Sequence, residues 1–430
     1  MQSILIFGYG AEGISTEKFL QKHFWRTKIQ IYDEKKSKFS ALPQWKNYDT
    51  IFISPGIDRK KIPQNFGGKI YNQWEFFLDR CEERERKKII GITGSKGKST
   101  TTKFTEDLLK NAGFSVKIGG NYGVPILDLW DDFFEKNLDF LILEISSFQT
   151  EYAKKSPGIV IFTSFFPDHL DRHLTTKSYF FAKANAWRHQ EKTDLFITPQ
   201  ATWEAIDRDW KKENRTNAKT IFSQPVPTNI FSRKSTLRAT HMRENLGTVW
   251  ALSKAIKMEN VEKMWKKTAE NFTSLEHRLE FFLESKKMYW YNDSLATSPT
   301  ACGVAIDFCG ADLGYLILGG TEADSAKESK NYSAENQKEW EKNLQAIKEK
   351  SPLAEIIVTK SPIQTTLKNA AEKTETKIIF VENFQNAIAV IRQNPKPEKI
   401  VMFSPGAKSF DAFKNAKERG ECWKKWVSER

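Results

Sequence analysis

At about 150 residues per domain, a chain of 430 residues makes about three domains and can bury a core without disulfide or metal staples. A hydrophobic content of 39% with 13% aromatics excludes a disordered chain, and no run approaches the roughly 18 consecutive apolar residues of a membrane span. The net charge of +13 admits nucleic acid or small anions such as nucleotides, but the lysines are interleaved with Glu in amphipathic stretches such as 333–350 and no RNA-binding signature or C2H2 spacing occurs, so no nucleic-acid partner is expected.

In chain order, the opening MQSILIFGYG has no basic segment before its apolar residues, so no signal peptide is expected. SILIFG (3–8), KIQIYD (28–33) and TIFISPG (50–56) read as strands, with a helix over ISTEKFLQKH between the first two. This is a βαβ pattern, which implies a parallel sheet with ligands at the carboxyl ends of its strands. CEERERKK (81–88) is all charge and reads as a linker or an exposed helix end. KIIGITG (88–94) is a buried strand, followed by a helix from KSTTTKFTEDLLKNAG that stops at Gly113. Further strands are DFLILEIS (139–146), GIVIFTS (158–164) and DLFITP (194–199), and helical periodicity runs through 241–270. FFLES and MYWYND predict a hairpin around Lys286 and Lys287, before strands at LGYLILGG (313–320), EIIVT (355–359), KIIFVE (377–382) and KIVMFSPG (399–406). The four cysteines, Cys81, Cys302, Cys309 and Cys422, are scattered without a CxxC and read as reduced thiols of a cytoplasmic protein.

Two glycine loops carry the chemistry. Gly8-Tyr9-Gly10-Ala11-Glu12-Gly13 is a GxGxxG between strand and helix, and Asp33 closes the next strand where a carboxylate can accept ribose hydroxyls. Alone, this loop fits either a dinucleotide site, hence a nucleotide-dependent oxidoreductase, or an unliganded tight turn. The second loop, Gly94-Ser95-Lys96-Gly97-Lys98-Ser99-Thr100, has the form of a phosphate-cradling P-loop, although Ile92 stands at its first glycine position. Lys98 would neutralise the β- and γ-phosphates of ATP, and Ser99 or Thr100 would help hold Mg2+. Glu144 ends a strand directed toward the same edge, as a Mg2+-binding acid should. His169 and His173 are four residues apart and could form a zinc pair if helical, but Pro167 suggests a loop and a Mg2+ or phosphate role for His169. Lys183 lies in SYFFAKANAW, where a lysine ordinarily snorkels to the surface. The pattern predicts an α/β protein of three domains: an N-terminal Rossmann-like domain over 1–87, a central P-loop ATPase-like domain over 88–278 and a C-terminal Rossmann-like domain over 279–430.

The motif set resembles the Mur ligases, and among them the D-glutamate-adding branch. General features are TGSKGKST (93–100), GGNYGVP (119–125) and DHLDRH (168–173); those closest to the branch are GYGAEG, LEISSFQT (143–150), NDSLATSPTA (292–301) and FSPGAKSFDAFKNAKERG (403–420). The resemblance implies a monomeric cytoplasmic enzyme of peptidoglycan precursor synthesis that uses ATP and two Mg2+ ions. It would phosphorylate the carboxylate of UDP-N-acetylmuramoyl-L-alanine and let the amine of D-glutamate displace the phosphate. It further implies that Ser99 and Glu144 serve one Mg2+ and that His169 serves the other with Lys183, which the family carries N-carbamylated. Gly10, Asp33 and Ser54-Pro55-Gly56 would hold the uridine end of the substrate and Asn121 its phosphate and sugar. Asn245, Arg278 and Asp293 would contact ATP, and Thr297, Ser409 and Phe410 the amino acid. The chain departs from the family at Leu295, at the residues after Gly319-Gly320 and at Ala416; in the first two places the family usually has lysines that engage the acceptor's side-chain carboxylate. Lys327, Lys330 and Lys408 are cations available to replace them. A ligase of the same type with a different acceptor is the alternative that these departures open.

Overall fold

The computed structural model describes residues 2–136, 138–227, 231, 235–272, 275–321 and 329–429. The chain forms two compact units: Met1–Pro227 with His241–Ala269, and Thr228–Thr240 with Glu270–Arg430.

The first unit contains two parallel sheets. In one, β1 (Ser3–Phe7), β2 (Lys28–Tyr32), β3 (Thr50–Ile53) and β4 (Lys69–Tyr71) lie in the order β2-β1-β3-β4. Phe7 is in register with both Tyr32 and Ile53, so Gly8, Asp33 and Ser54 emerge side by side where the strand order reverses. In the other, β5 (Ile89–Thr93), β6 (Val116–Gly120), β7 (Phe140–Glu144), β8 (Ile159–Phe162), β9 (Leu195–Pro199) and β10 (Lys219–Ser223) take the order β10-β9-β8-β5-β7-β6. Ile89, Ile90, Ile92, Leu141, Ile142 and Leu143 are fully buried, as expected of parallel strands covered on both faces.

The second unit holds a sheet of β11 (Glu280–Ser285), β12 (Met288–Asn292), β13 (Leu313–Leu318), β14 (Glu355–Thr359), β15 (Ile378–Val381) and β16 (Ile400–Phe403), in the order β11-β12-β16-β13-β14-β15. Only β11 is antiparallel, joined to β12 through Lys286 and Lys287, both left-handed at φ 49° and 58°. That pair of torsions is the type I′ turn, whose twist matches a hairpin. The helix Ser329–Lys350 buries Trp340, Leu344 and Ile347, one face at helical spacing.

Of the two readings of the run at 81–88, a linker or an exposed helix end, a short helix is found, with Arg86 alone buried. Residues Glu83–Arg86 form a helical turn, and Arg86 is 8% exposed with its Nη1 2.6 Å from Asp194 Oδ2. Its carbonyl accepts from Gly158 N, so the charged segment is anchored beside the second sheet. Among the described residues no helix is long and apolar enough to cross a membrane.

Candidate functional site

The second glycine loop joins β5 to the helix Lys98–Asn111. Gly94 and Gly97 have φ of 148° and 84°, and both are crowded: a Cβ would lie 2.1 Å from Thr163 Oγ1 at the first and 1.9 Å from Asn245 Nδ2 at the second. Torsion and close approach therefore both require glycine. Ser164, just past β8, accepts from Ser95 N at 2.8 Å through its carbonyl and from Lys96 N at 2.9 Å through its hydroxyl. The N–H groups of Lys98, Ser99 and Thr100 stand in the first helical turn with no intrahelical carbonyl to bond, at the positive end of the helix dipole. This is an anion-binding terminus. Lys98 folds back over the loop, its Nζ donating to Gly94 O at 2.9 Å and Ser95 O at 3.1 Å. Asn245, on the helix Thr240–Ala255, is buried against the loop.

Glu144 ends β7, in register with Ile92 of β5, and is 2% exposed. Its Oε1 accepts from Asn121 Nδ2 at 2.8 Å, while Oε2 has no hydrogen-bond partner. The end of β6 can close on it because Gly120 is left-handed and a Cβ there would sit 2.3 Å from Glu144 O. A buried carboxylate with one oxygen unsatisfied is what a hard cation completes, and the hydroxyl of Ser99 is a suitable second oxygen donor, so the residues fit Mg2+.

Lys183, on the helix Thr176–Ala184, does not snorkel. It is 1% exposed, donates to Gly94 O at 2.8 Å and lies 4.6 Å from the centroid of the Tyr179 ring. Burial drives its pKa well below the ordinary lysine value; the charge of Lys98 adds to this, while Asp168 and Glu144 oppose it. His169 is left-handed at φ 52° and caps the short helix Leu170–His173. It is exposed and meets Phe148 edge-on at 5.0 Å, whereas His173 stacks on the same ring and shares a hydrogen bond of 3.0 Å with Ser147 Oγ. No cluster of three His, Cys, Asp or Glu side chains suited to a metal occurs among the described residues, so the zinc alternative finds no third ligand there.

At the first sheet, Asp33 accepts from Tyr9 N at 2.6 Å and from Lys35 N at 2.8 Å, and the Tyr9 bond is the main reason its carboxyl is held below the usual value. Ser54 Oγ donates to Gly8 O at 2.9 Å, and Gly10 precedes the helix Ala11–His23 without a capping side chain. Pro55 and Gly56 follow Ser54 at the rim. Sequence reasoning did not find the polar joint behind this loop. Gln73 Nε2 donates to Glu12 O at 2.9 Å, Gln149 Nε2 donates to Glu12 Oε1 at 3.0 Å, and Asn72 Nδ2 donates to Gln149 O at 2.8 Å. Glu12 Oε2 is buried without a partner, and burial raises this carboxyl to about 7 against the pull of Gln149.

In the second unit, Asp293 follows β12 and is buried, with Oδ1 accepting from Leu279 N at 3.1 Å and Oδ2 from Ser404 Oγ at 2.7 Å. Burial pushes it up to about 7 despite both bonds. Arg278 is exposed between two left-handed residues, His277 and Leu279. Thr297 is exposed, Ser409 buried and Phe410 63% exposed. Arg419, which sequence reasoning passed over, is 1% exposed; its Nε donates to Ser294 Oγ at 3.0 Å, its Nη2 to Ser294 O at 2.8 Å and its Nη1 to Gly319 O at 3.4 Å. Lys327 and the side chain of Lys330 lie outside the described residues.

Residues 92–273 match the family model of the Mur ligase middle domain. A UDP-N-acetylmuramoylalanine–D-glutamate ligase of Fusobacterium nucleatum subsp. nucleatum is 30% identical over 463 residues, spanning 99% of this chain and 99% of the relative. Among solved structures, the MurF ligase of Thermotoga maritima in complex with ADP aligns at 15% identity with a TM-score of 0.56, over 100% of this chain and 96% of that one. The UDP-N-acetylmuramate–alanine ligase of Thermotoga maritima aligns over 100% of both chains at 15% identity with a TM-score of 0.53. These two likenesses bear on the fold.

Proposed function

The chain belongs to the Mur ligase family, and from that membership we propose that it joins D-glutamate to UDP-N-acetylmuramoyl-L-alanine at the expense of ATP, in cytoplasmic peptidoglycan precursor synthesis. We assign the nucleotide-linked substrate to a domain over 1–87, ATP to one over 88–278 and the amino acid to one over 279–430, in a monomer. The reaction follows from the chemistry of a carboxylate, which is a poor electrophile until one oxygen leaves as phosphate. The γ-phosphoryl group passes to the L-alanine carboxylate, the D-glutamate amine adds to the acyl carbon, and the tetrahedral adduct collapses to an amide and phosphate.

One observation carries the reading: the anion-binding head of the helix at Lys98, the half-satisfied carboxylate of Glu144 and the buried amine of Lys183 converge at the ends of adjacent strands. Lys98 and the first-turn N–H groups suit the β- and γ-phosphates, and Asn245 backs the loop. Mg2+ would be held by Ser99 and Glu144, and a second ion by His169 with Lys183. Bound there, the metal would offset the repulsion between ATP and the substrate anion. The neutral amine is the form that adds CO2, and burial favours that form, so Lys183 suits a carbamate, which would turn a cation into an anionic oxygen ligand.

The departures at Leu295 and after Gly320 favour a second reading, a Mur ligase with another acceptor. Phosphate release with ATP, Mg2+, UDP-N-acetylmuramoyl-L-alanine and a panel of D- and L-amino acids separates the two: turnover confined to D-glutamate supports the first, and turnover with another amino acid replaces it. An oxidoreductase acting through the first glycine loop would leave the P-loop and Glu144 without a role.

A further inference from the structure

We propose that Glu12 makes binding of the nucleotide substrate a proton-linked event: its carboxyl takes up a proton as the substrate's diphosphate settles on the first glycine loop. The inference rests on the ligase reading above, which assigns the nucleotide end of the substrate to that loop, and adds how the loop tolerates the anion.

Glu12 is the second residue of the helix Ala11–His23, so its own N–H is among the first-turn donors at the positive end of that helix. Gly10 precedes them with no side chain to cap them, which leaves those donors to an anion, and the Glu12 carboxyl stands within one turn of it. The side chain reaches into the joint between the two sheets. Gln73 Nε2 donates to the Glu12 carbonyl at 2.9 Å, Gln149 Nε2 donates to Oε1 at 3.0 Å, and Oε2 is buried with no hydrogen-bond partner. A gap of about 10 Å3 between Glu12, Gly13, Thr16, Ser54 and Gln73 has at most the room of a single water, so solvent does little for a charge there. Ionised, this carboxyl has a bare buried oxygen and faces the like charge of a bound diphosphate. Protonated, it keeps the Gln149 bond through Oε1 and sheds the like charge and most of the burial cost.

The groups packed around Glu12 leave this exchange to it. Asn72 and Gln73 of the helix Gln73–Arg80 and its cap, Gln149 of the segment after β7, and Ser54 after β3 are neutral. Of the charged residues on those elements, Glu75 is paired with Arg59, Asp79 and Arg80 face Tyr71, and Glu151 is paired with Arg172. On its own helix, Glu17 accepts from the Tyr9 hydroxyl, and Lys22 and His23 meet Asp131. At the loop itself, the Asp33 carboxyl is held low by the Tyr9 N–H and the Tyr9 phenol is held high by Glu17, so neither changes charge near neutral pH. Burial lifts the Glu12 carboxyl to about 7 before any ligand arrives, and a diphosphate beside it lifts it further. Affinity for the nucleotide is therefore full below about pH 7, where the acid is already protonated. It falls as pH rises above that value, by at most about tenfold per pH unit, until the bound-state value is passed.

The test measures binding of UDP-N-acetylmuramoyl-L-alanine to the full chain by calorimetry from about pH 6 to about pH 9, in buffers of different ionisation heat, which counts the protons taken up. The parent should take up a fraction of a proton above about pH 7, and its Kd should rise by about tenfold or more between pH 7 and pH 9. E12Q should bind with no proton uptake and a Kd that is flat with pH. Q149L, which removes the donor that favours the ionised acid, should move the fall in affinity to higher pH. Binding of ADP by each variant reports that it is folded, and if E12Q fails that check the Q149L shift decides. A parent that takes up no proton, a folded E12Q that keeps the parental uptake, or a Q149L whose affinity falls at the parental pH overturns the inference, while phosphate release with the nucleotide keeps the ligase standing. A parent that neither binds the nucleotide nor releases phosphate with any amino acid removes the ligase reading and this inference with it.

Discussion

Lys183 and Lys98 donate to the same acceptor, the carbonyl of Gly94, at 2.8 and 2.9 Å. One comes from the head of the helix Lys98–Asn111 and the other from the helix Thr176–Ala184, and the charge of Lys98 makes that of Lys183 less favourable. Burial favours the neutral form of Lys183 and so eases the repulsion between the two amines.

Replacing Lys183 should therefore separate stability from activity. A lysine with a depressed folded pKa binds fewer protons folded than unfolded, so it lowers stability at neutral pH, and this loss fades as pH rises to the ordinary lysine value near 10.4. K183M should melt above the parent at pH 7 and near it at pH 10.5, while turnover falls by about a thousandfold or more. In CO2-free buffer, added bicarbonate should raise the activity and Tm of the parent and leave K183M unchanged. A parent indifferent to bicarbonate argues against the carbamate.

Glu144 keeps one oxygen without a partner inside the protein. Glu144→Gln retains the acceptor for Asn121 and removes the charge, so Tm should be no lower than the parent's. Phosphate release should fall by about a hundredfold or more, the scale for losing one preorganised electrostatic group. A variant that loses both stability and activity would mark Glu144 as structural.

Gly97→Ala should cost about 1–3 kcal/mol from its left-handed torsion alone, and more from the 1.9 Å approach to Asn245 Nδ2. Asn245→Ala should recover the clash and not the torsion. A double-mutant cycle on denaturant stability measures the difference, and additive effects would show that the two residues do not press on each other.

Glu12 titrates at about 7, well above an ordinary carboxyl. Folded Glu12 binds more protons than unfolded between about 4.5 and 7, so stability contributed at acid pH is lost as pH rises through that window and is flat above it. Glu12→Gln should melt above the parent at pH 8 by an amount equivalent to about 1–3 kcal/mol, with the gap closing toward pH 4.5. A pH-independent gap would mean that Gln149 carries the effect through geometry alone.

The sheets that position the site were legible where strands are buried on both faces, as with KIIGITG and DFLILEIS, because a run of about five apolar residues bounded by turn or polar residues is too short for a buried helix. They were not legible where a strand is short, glycine-ended or exposed. β4 is three residues, β6 ends in two glycines, and four of the five residues of β10 are not buried. The glycine loops could be read because torsion and close approach leave a mark on the sequence. The depth of Lys183 and Arg419 could not, since a long cation looks the same whether it reaches water or a carbonyl. The burial of Arg86, within the run read as a linker or an exposed helix end, was hidden for the same reason: its partner Asp194 lies 108 residues away.

The amides of Gln73, Gln149 and Asn72 knit the glycine loop of the first sheet to the segment that follows β7 in the second. These side chains are buried, and the bonds from Gln149 to Glu12, from Asn72 to Gln149 and from Leu127 N to Gln73 Oε1 cross from one sheet's segments to the other's, so the cleft at Gly8–Gly13 and the cleft at Gly94–Ser99 cannot drift apart independently. The joint works as a ruler. A ligand occupying both clefts must match its length, and one shortened by a few bonds could lodge at either end but not bridge them.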